Sequence, residues 1–229
     1  VAEVLCDMAD KLEAAEDLPM ALHDMIKDTI AAHKRIIFNG NGYSDEWVAE
    51  AERRGLPNIK CMVDAVPALV KPEAVEIFEK HGVYTKAEME SRAEVMYETY
   101  SKTINIEALT MIDMAKKQIV PATIKYQTSL AESVNAIKAA SSAVDTSVQE
   151  ALMADISTNL KDMYVALAHL EEVAGKAEAM EEGAEQGHYY HDVVFTAMDE
   201  LRKPADKLEM LVAKSAWPFP SYGDLIFEV

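Results

Sequence analysis

Glycine and proline are scarce, eight of each in 229 residues, and aromatic residues make up only 7%. A sheet protein needs turn residues at short intervals with β-branched and aromatic side chains between them, so this scarcity argues against strands. Cysteine is rarer still. Cys6 and Cys61 have no partner at metal or disulfide spacing, which argues against a disulfide scaffold and predicts two small buried hydrophobes in a reducing compartment. Basic residues are the minority charge, 22 Lys and Arg against 40 Asp and Glu, and the net charge of −18 repels a phosphate backbone. No nucleic-acid partner is expected. No apolar run reaches the roughly 18 to 20 residues that a bilayer crossing needs, and no basic segment precedes an apolar one at the start. The expectation is therefore no membrane partner and a cytoplasmic location.

What is abundant is Ala, Glu, Lys, Leu and Met, with half of all residues apolar. That composition supports a sizeable core and favours helix, so disorder is not expected and the predicted class is all-α. The chain opens at Val1 in a helix-like pattern, which predicts that a larger protein continues upstream.

Along the chain, Val4, Leu5, Met8 and Leu12 fall at helical spacing, and Asp17 with Pro19 reads as a stop and a restart. A second helix follows, with Leu22, Met25, Ile26 and Ile30 on one side. Ser44 is a cap for a short helix that Gly55 ends, and two further short helices are expected after Asp64 and at Pro72, the latter stopped by Gly82. Thr85-Lys86-Ala87-Glu88 is a capping box launching the longest helix, roughly 80 Å at 1.5 Å per residue, with a kink at Pro121. Thr146-Ser147-Val148-Gln149 is a second box. Beyond it Val148, Leu152, Ile156, Leu160, Met163, Leu167, Leu170 and Ala174 form a stripe closed by the weak spot Gly183 to Gly187. Tyr190, Val194, Ala197, Leu201, Leu208 and Leu211 form another, interrupted at Pro204. The expected architecture is a set of short N-terminal helices, then a long-helix antiparallel bundle of about three helices. An aromatic tail from Trp217, which Pro218 and Pro220 make non-helical, completes it.

Few residues invite a chemical role. Asn39-Gly40-Asn41-Gly42 lacks the following Lys-Ser/Thr of a phosphate loop and reads as a turn. His188 and His191 share a spacing suited to metal ligands but have no third ligand nearby, since His169 is a helix away. Glu107 and Asp113 lie in the apolar stretch Ile104 to Met114 and are expected to face solvent or pair with Lys102 and Lys116. The acidic run Glu171, Glu172, Glu178, Glu181, Glu182 and Glu185 reads as a solvated face, and most of the thirteen Met residues as core filling. Trp217, Phe219, Tyr222, Leu225, Ile226 and Phe227 hold enough apolar area to require docking, within the chain or on a neighbouring subunit or domain. No residue is assigned a catalytic, cofactor-binding or metal-binding role.

Three long stretches resemble the C-terminal region of the type III glutamine synthetases. They are Arg35-Ile36-Ile37-Phe38-Asn39-Gly40-Asn41-Gly42-Tyr43-Ser44-Asp45-Glu46-Trp47, then Lys102-Thr103-Ile104-Asn105-Ile106-Glu107-Ala108-Leu109-Thr110-Met111-Ile112-Asp113-Met114, and Trp217-Pro218-Phe219-Pro220-Ser221-Tyr222-Gly223-Asp224-Leu225. Val66-Pro67-Ala68-Leu69 and Lys80-His81-Gly82-Val83-Tyr84-Thr85 are similar to the end of the catalytic domain in shorter relatives. The resemblance implies that residues 1–105 finish a catalytic domain and that 106–229 are a helical extension with a tail. It further implies a non-catalytic part of a ligase whose full-length form joins glutamate and ammonia using ATP and Mg, through a γ-glutamyl phosphate. The carboxylate and His metal ligands and the substrate-binding Arg residues of that family belong upstream, so none is carried to a residue here. The implied partners are the upstream catalytic domain and neighbouring subunits of a homo-oligomer. A free-standing helical binding module is the alternative expectation.

Overall fold

The computed structural model describes residues 1–227, all helical or irregular, with no strand among them. The all-α class holds. The chain divides into two compact units, Val1–Ala93 and Glu94–Val229.

The first unit contains α1 (Ala2–Glu13), α2 (Leu18–His33), a single 3₁₀ turn (Lys34–Ile36), α3 (Asp45–Arg53), α4 (Met62–Leu69), α5 (Pro72–Lys80) and the start of α6 (Lys86–Met114). Its boundaries follow local chemistry. The Asp17 carboxylate accepts from the Met20 amide at 3.1 Å, with Pro19 in the first turn of α2. Gly55 and Gly82 end α3 and α5 at φ +70° and +62°, where a side chain would be strained. The Thr85 box forms as expected: the Thr85 amide donates to Glu88 Oε2 at 2.8 Å, and the Glu88 amide donates to Thr85 Oγ1 at 3.3 Å. This unit's buried set is small, comprising Ala51, Val63, Val66, Val75, Met89 and Ala93. No residue of α1 or α2 is buried.

The second unit holds the long helices. α6 passes through a wide turn at Ala115–Ile119 into α7 (Val120–Ala140), reverses into α8 (Ser147–Glu178), and returns through α9 (Ala184–Tyr189), a second wide turn at Tyr190–Val194, and α10 (Phe195–Leu211). α8 packs against both α7 and α10. The core is read directly from the stripes: Ile156, Met163, Leu167 and Leu170 of α8 meet Val194, Ala197, Leu201 and Leu208, with Ile104, Ala108, Ala115 and Ile119 on a third side.

Several local expectations are corrected. The surroundings of Pro121 go beyond the kink expected there. The turn ahead of it widens, so that the Val120 amide reaches back five residues to the Ala115 carbonyl and a ring without an N–H fits at the head of α7. Pro204 does not interrupt α10; its ring is buried in register between Leu201 and Leu208, where its apolar surface serves the stripe. Val148 is 77% exposed and lies outside the core, because it faces away from the packed side on which Thr146 is buried. The second capping box does not form. Thr146 instead donates to Glu150 Oε1 at 2.8 Å, and Asp145 accepts from the Ser147 amide at 2.9 Å in its place. Finally, the tail is irregular from Trp217 to Pro220 but then makes a short helix, α11 (Tyr222–Phe227). Ser221 and Asp224 enable it: Asp224 Oδ2 accepts from the Ser221 amide at 2.8 Å and its hydroxyl at 2.7 Å.

Candidate functional site

The residues singled out from sequence are dispersed. The Asn39–Gly42 segment is a turn held by its own side chains. Asn41 Oδ1 accepts from the Tyr43 amide at 3.0 Å, and the Ser44 hydroxyl donates to the Asn41 carbonyl while capping α3 through the Trp47 amide. Phe38 stacks on Trp47 with centroids 4.1 Å apart, and Arg54 lies over the same indole at 5.5 Å. The Arg54 guanidinium also donates to the Arg35 and Ile37 carbonyls at 3.2 and 2.8 Å. Glu50 accepts from both Arg53 and Arg54, and these guanidinium hydrogen bonds hold its carboxyl down to about 2. The stretch is a clamped fold element rather than a phosphate cradle.

His191 bonds Asp192 at 2.7 Å and lies 6.4 Å from the Tyr100 ring, and His188 is also engaged. Among the described residues no three His, Cys, Asp or Glu side chains come together as a metal site. Glu107 is exposed, as expected. The anticipated pairings differ, however: Asp113 pairs with Lys117, Lys102 with Glu98, and Lys116 with Glu171 across to α8. Of the acidic run, Glu172 also takes a cation, Lys176 at 2.6 Å. Cys6 is exposed and Cys61 half-buried, so the buried reading of both thiols is corrected; no residue of α1 is buried. Methionine divides between core (Met89, Met163, Met198) and surface (Met20, Met62, Met210).

Two features stand out as surfaces for use. The first is the α1–α2 segment, where Val4, Leu5, Leu18, Met20, Leu22, Ile26, Ile30, Ile36 and Ile37 are each between 42% and 61% exposed. Soluble proteins seldom leave so many large apolar side chains uncovered along one stretch. The second is the tail. Trp217 and Phe219 meet edge to face at 6.2 Å and pack on the second unit's core, closing a cavity of about 170 Å³ lined also by Met111, Ile119 and Met163. Tyr222, Leu225, Ile226 and Phe227 remain 65% to 85% exposed. The expected docking is thus met by two of the six tail residues, Trp217 and Phe219.

A cavity missed from sequence lies in the second unit, where α8 reverses into α9 beside the first half of the bundle's longest rod. It is lined by Ser101, Asn105, Gln186 and Tyr190 together with acidic side chains. Burial pushes the Tyr190 phenol up, and the charge of Glu178 adds to it. The signal that marks this cavity was available: Ser101 interrupts the apolar series Met89, Ala93, Tyr97, Ile104 and Ala108 with a buried hydroxyl.

Comparison with known proteins gives the class first. A family model described as the glutamine synthetase C-terminal domain matches residues 21–138, more than half of the chain. The chain belongs to that family. Among individual relatives it is 37% identical over 216 residues to a glutamine synthetase of Butyrivibrio fibrisolvens, covering 94% of this chain and 31% of that protein. It is 29% identical over 211 residues to the type-3 glutamine synthetase of Dictyostelium discoideum and 30% identical to a glutamine synthetase of Bacteroides fragilis, covering 90% of this chain and 29% of each relative. The chain therefore spans about a third of the length of the relatives it matches. No helix among the described residues is long and apolar enough to cross a membrane.

Proposed function

We propose that this chain is the C-terminal helical part of a type III glutamine synthetase and that its task is mechanical. In the whole enzyme glutamate and ammonia are joined at the expense of ATP, with the bond-making residues upstream, and these helices pack against the catalytic part and neighbouring subunits. Residues to about Asn105 complete the catalytic domain in this reading, and Ile106 onward is the extension.

The observation that carries the proposal is the uncovered apolar surface of α1 and α2 in a chain that aligns with only about a third of each relative. Each of Leu22, Ile26 and Ile30 is about half exposed. Covering what remains is worth roughly 1 kcal/mol per side chain, or ~3 kcal/mol for the three. In a longer enzyme containing this region, Leu22→Ser, Ile26→Ser and Ile30→Ser combined should shift sedimentation toward smaller species and lower specific activity. Unchanged assembly and activity would refute the packing role. Glutamine formation by this chain alone, given MgATP, glutamate and ammonia, would refute the non-catalytic reading.

A further inference from the structure

Ser101 is 3% exposed in the middle of α6, and its hydroxyl has no hydrogen-bond partner. Thr103, Thr110, Thr128, Thr158 and Thr196 escape this by donating to the carbonyl one turn back at 2.7 to 3.0 Å, whereas Thr123 of α7 shares the condition of Ser101 but, among the described residues, lines no cavity with a second unpartnered atom. One turn further along α6, the side-chain carbonyl oxygen of Asn105 is likewise buried without a partner. Orphaned buried polar atoms are few in folded proteins and call for a reason.

Both residues line one cavity of about 230 Å³, together with Glu178 and Glu182, Gln186, Tyr190 and the paired Glu98 and Lys102. A water takes about 30 Å³ of liquid, so the space admits a ligand of several heavy atoms. Its chemistry is biased toward acceptors. Gln186, 7% exposed, spends its amide protons on the Ala177 carbonyl at 3.1 Å and the Met180 carbonyl at 3.5 Å, which leaves only its oxygen to offer. Asn105 offers an oxygen and the two unpaired-with-each-other glutamates Glu178 and Glu182 offer more. The Lys102 ammonium is directed to Glu98 and is 62% exposed, so it does not serve the buried Ser101 hydroxyl. Three carboxylates against one ammonium reject an anion. A divalent metal is also disfavoured, because among the described residues no three ligating side chains converge.

We propose that this cavity binds a primary ammonium group, R–NH₃⁺, whose N–H donors are accepted by Ser101 Oγ, Asn105 Oδ1 and the Gln186 side-chain oxygen while the surrounding carboxylates balance its charge. An ammonium head carries three donors and no acceptor, which matches a site where the oxygens of Ser101 and Asn105 lack partners and carboxylates outnumber cations. The assignment is independent of the assembly role.

The test titrates methylammonium chloride into the intact chain at constant ionic strength while following the side-chain amide NMR signals of Asn105 and Gln186. Saturable shifts are expected with methylammonium and none with tetramethylammonium, which has the same charge but no N–H. Ser101→Ala should weaken methylammonium binding about tenfold, as loss of a charge-assisted hydrogen bond does, while the melting temperature stays level or rises. Asn105→Ala should weaken it similarly, so the proposal does not depend on one variant. Absence of saturation, equal shifts from tetramethylammonium, unaltered affinity in Ser101→Ala, or tighter competition by potassium would each overturn the proposal.

Discussion

Replacing Leu170 by alanine tests the assignment of the second unit's core most directly. Leu170 is fully buried on α8, within the cluster that α10 and the long rod share. Truncation removes the transfer energy of the lost carbons and leaves a hole that long, mutually packed helices close only partly. Losses for such changes run to about 2–5 kcal/mol, and full burial at this position places the expectation near 4 kcal/mol. Val148→Ala is the matched control. It lies on the same sequence stripe yet is 77% exposed, so its loss should stay within about 0.5 kcal/mol. Urea denaturation followed by Trp fluorescence in a Trp47→Phe background is the assay, because the remaining indole, Trp217, packs on the same cluster. A Leu170→Ala loss below about 1 kcal/mol, or equal losses for the two variants, would refute the reasoning.

Other outcomes follow from local features. Thr85→Ala should cost about 1 kcal/mol through loss of the cap on α6, measured by chemical denaturation. Gly183 sits at φ +139° with open space around a built Cβ, so Gly183→Ala should destabilise through backbone strain alone, by about 1–3 kcal/mol. Glu50, held at about 2 by Arg53 and Arg54, should show a carboxyl titration by NMR centred near 2. Because its folded value is depressed, its contribution is present above the ordinary carboxylate value of 4.5 and fades as pH falls toward 2; a midpoint near 4.5 would contradict the clamp. Asp224, lowered to about 2 by Lys214 and then Ser221, should titrate in the same low window, and Asp224→Asn should fray α11.

The parts of the fold legible in sequence are those decided by near neighbours. Asp17, Ser44, Thr85, Gly55 and Gly82 set boundaries through contacts within a few residues, and the structure places those boundaries as read. The α8 and α10 stripes were legible because burial repeats with the helical turn. A four-residue spacing drifts around the helix over many turns, which is why Val148 counted as core although it faces away from the side where Thr146 is buried. It also cannot tell a proline that breaks a helix from one whose ring is itself wanted, as Pro204 is. Ion-pair partners failed for a different reason: Lys116 has Asp113 one turn back, but Asp113 pairs with Lys117 and only the approach of α8 brings Glu171 to Lys116. The Ser101 cavity required two distant segments, 98–105 and 178–190, to converge, so a single polar interruption was its whole trace in the sequence.

The wide turn at Ala115–Ile119 has a further consequence. Such a turn absorbs one residue more than the α-helical count, so later side chains keep the facing they would have without it. Deleting one residue from this window would convert it to ordinary helix with the flanking apolar positions still aimed alike, whereas the same deletion near Ile104 or Val134 would rotate half the rod's buried face into water. The window is therefore the place where this rod best tolerates a change of length.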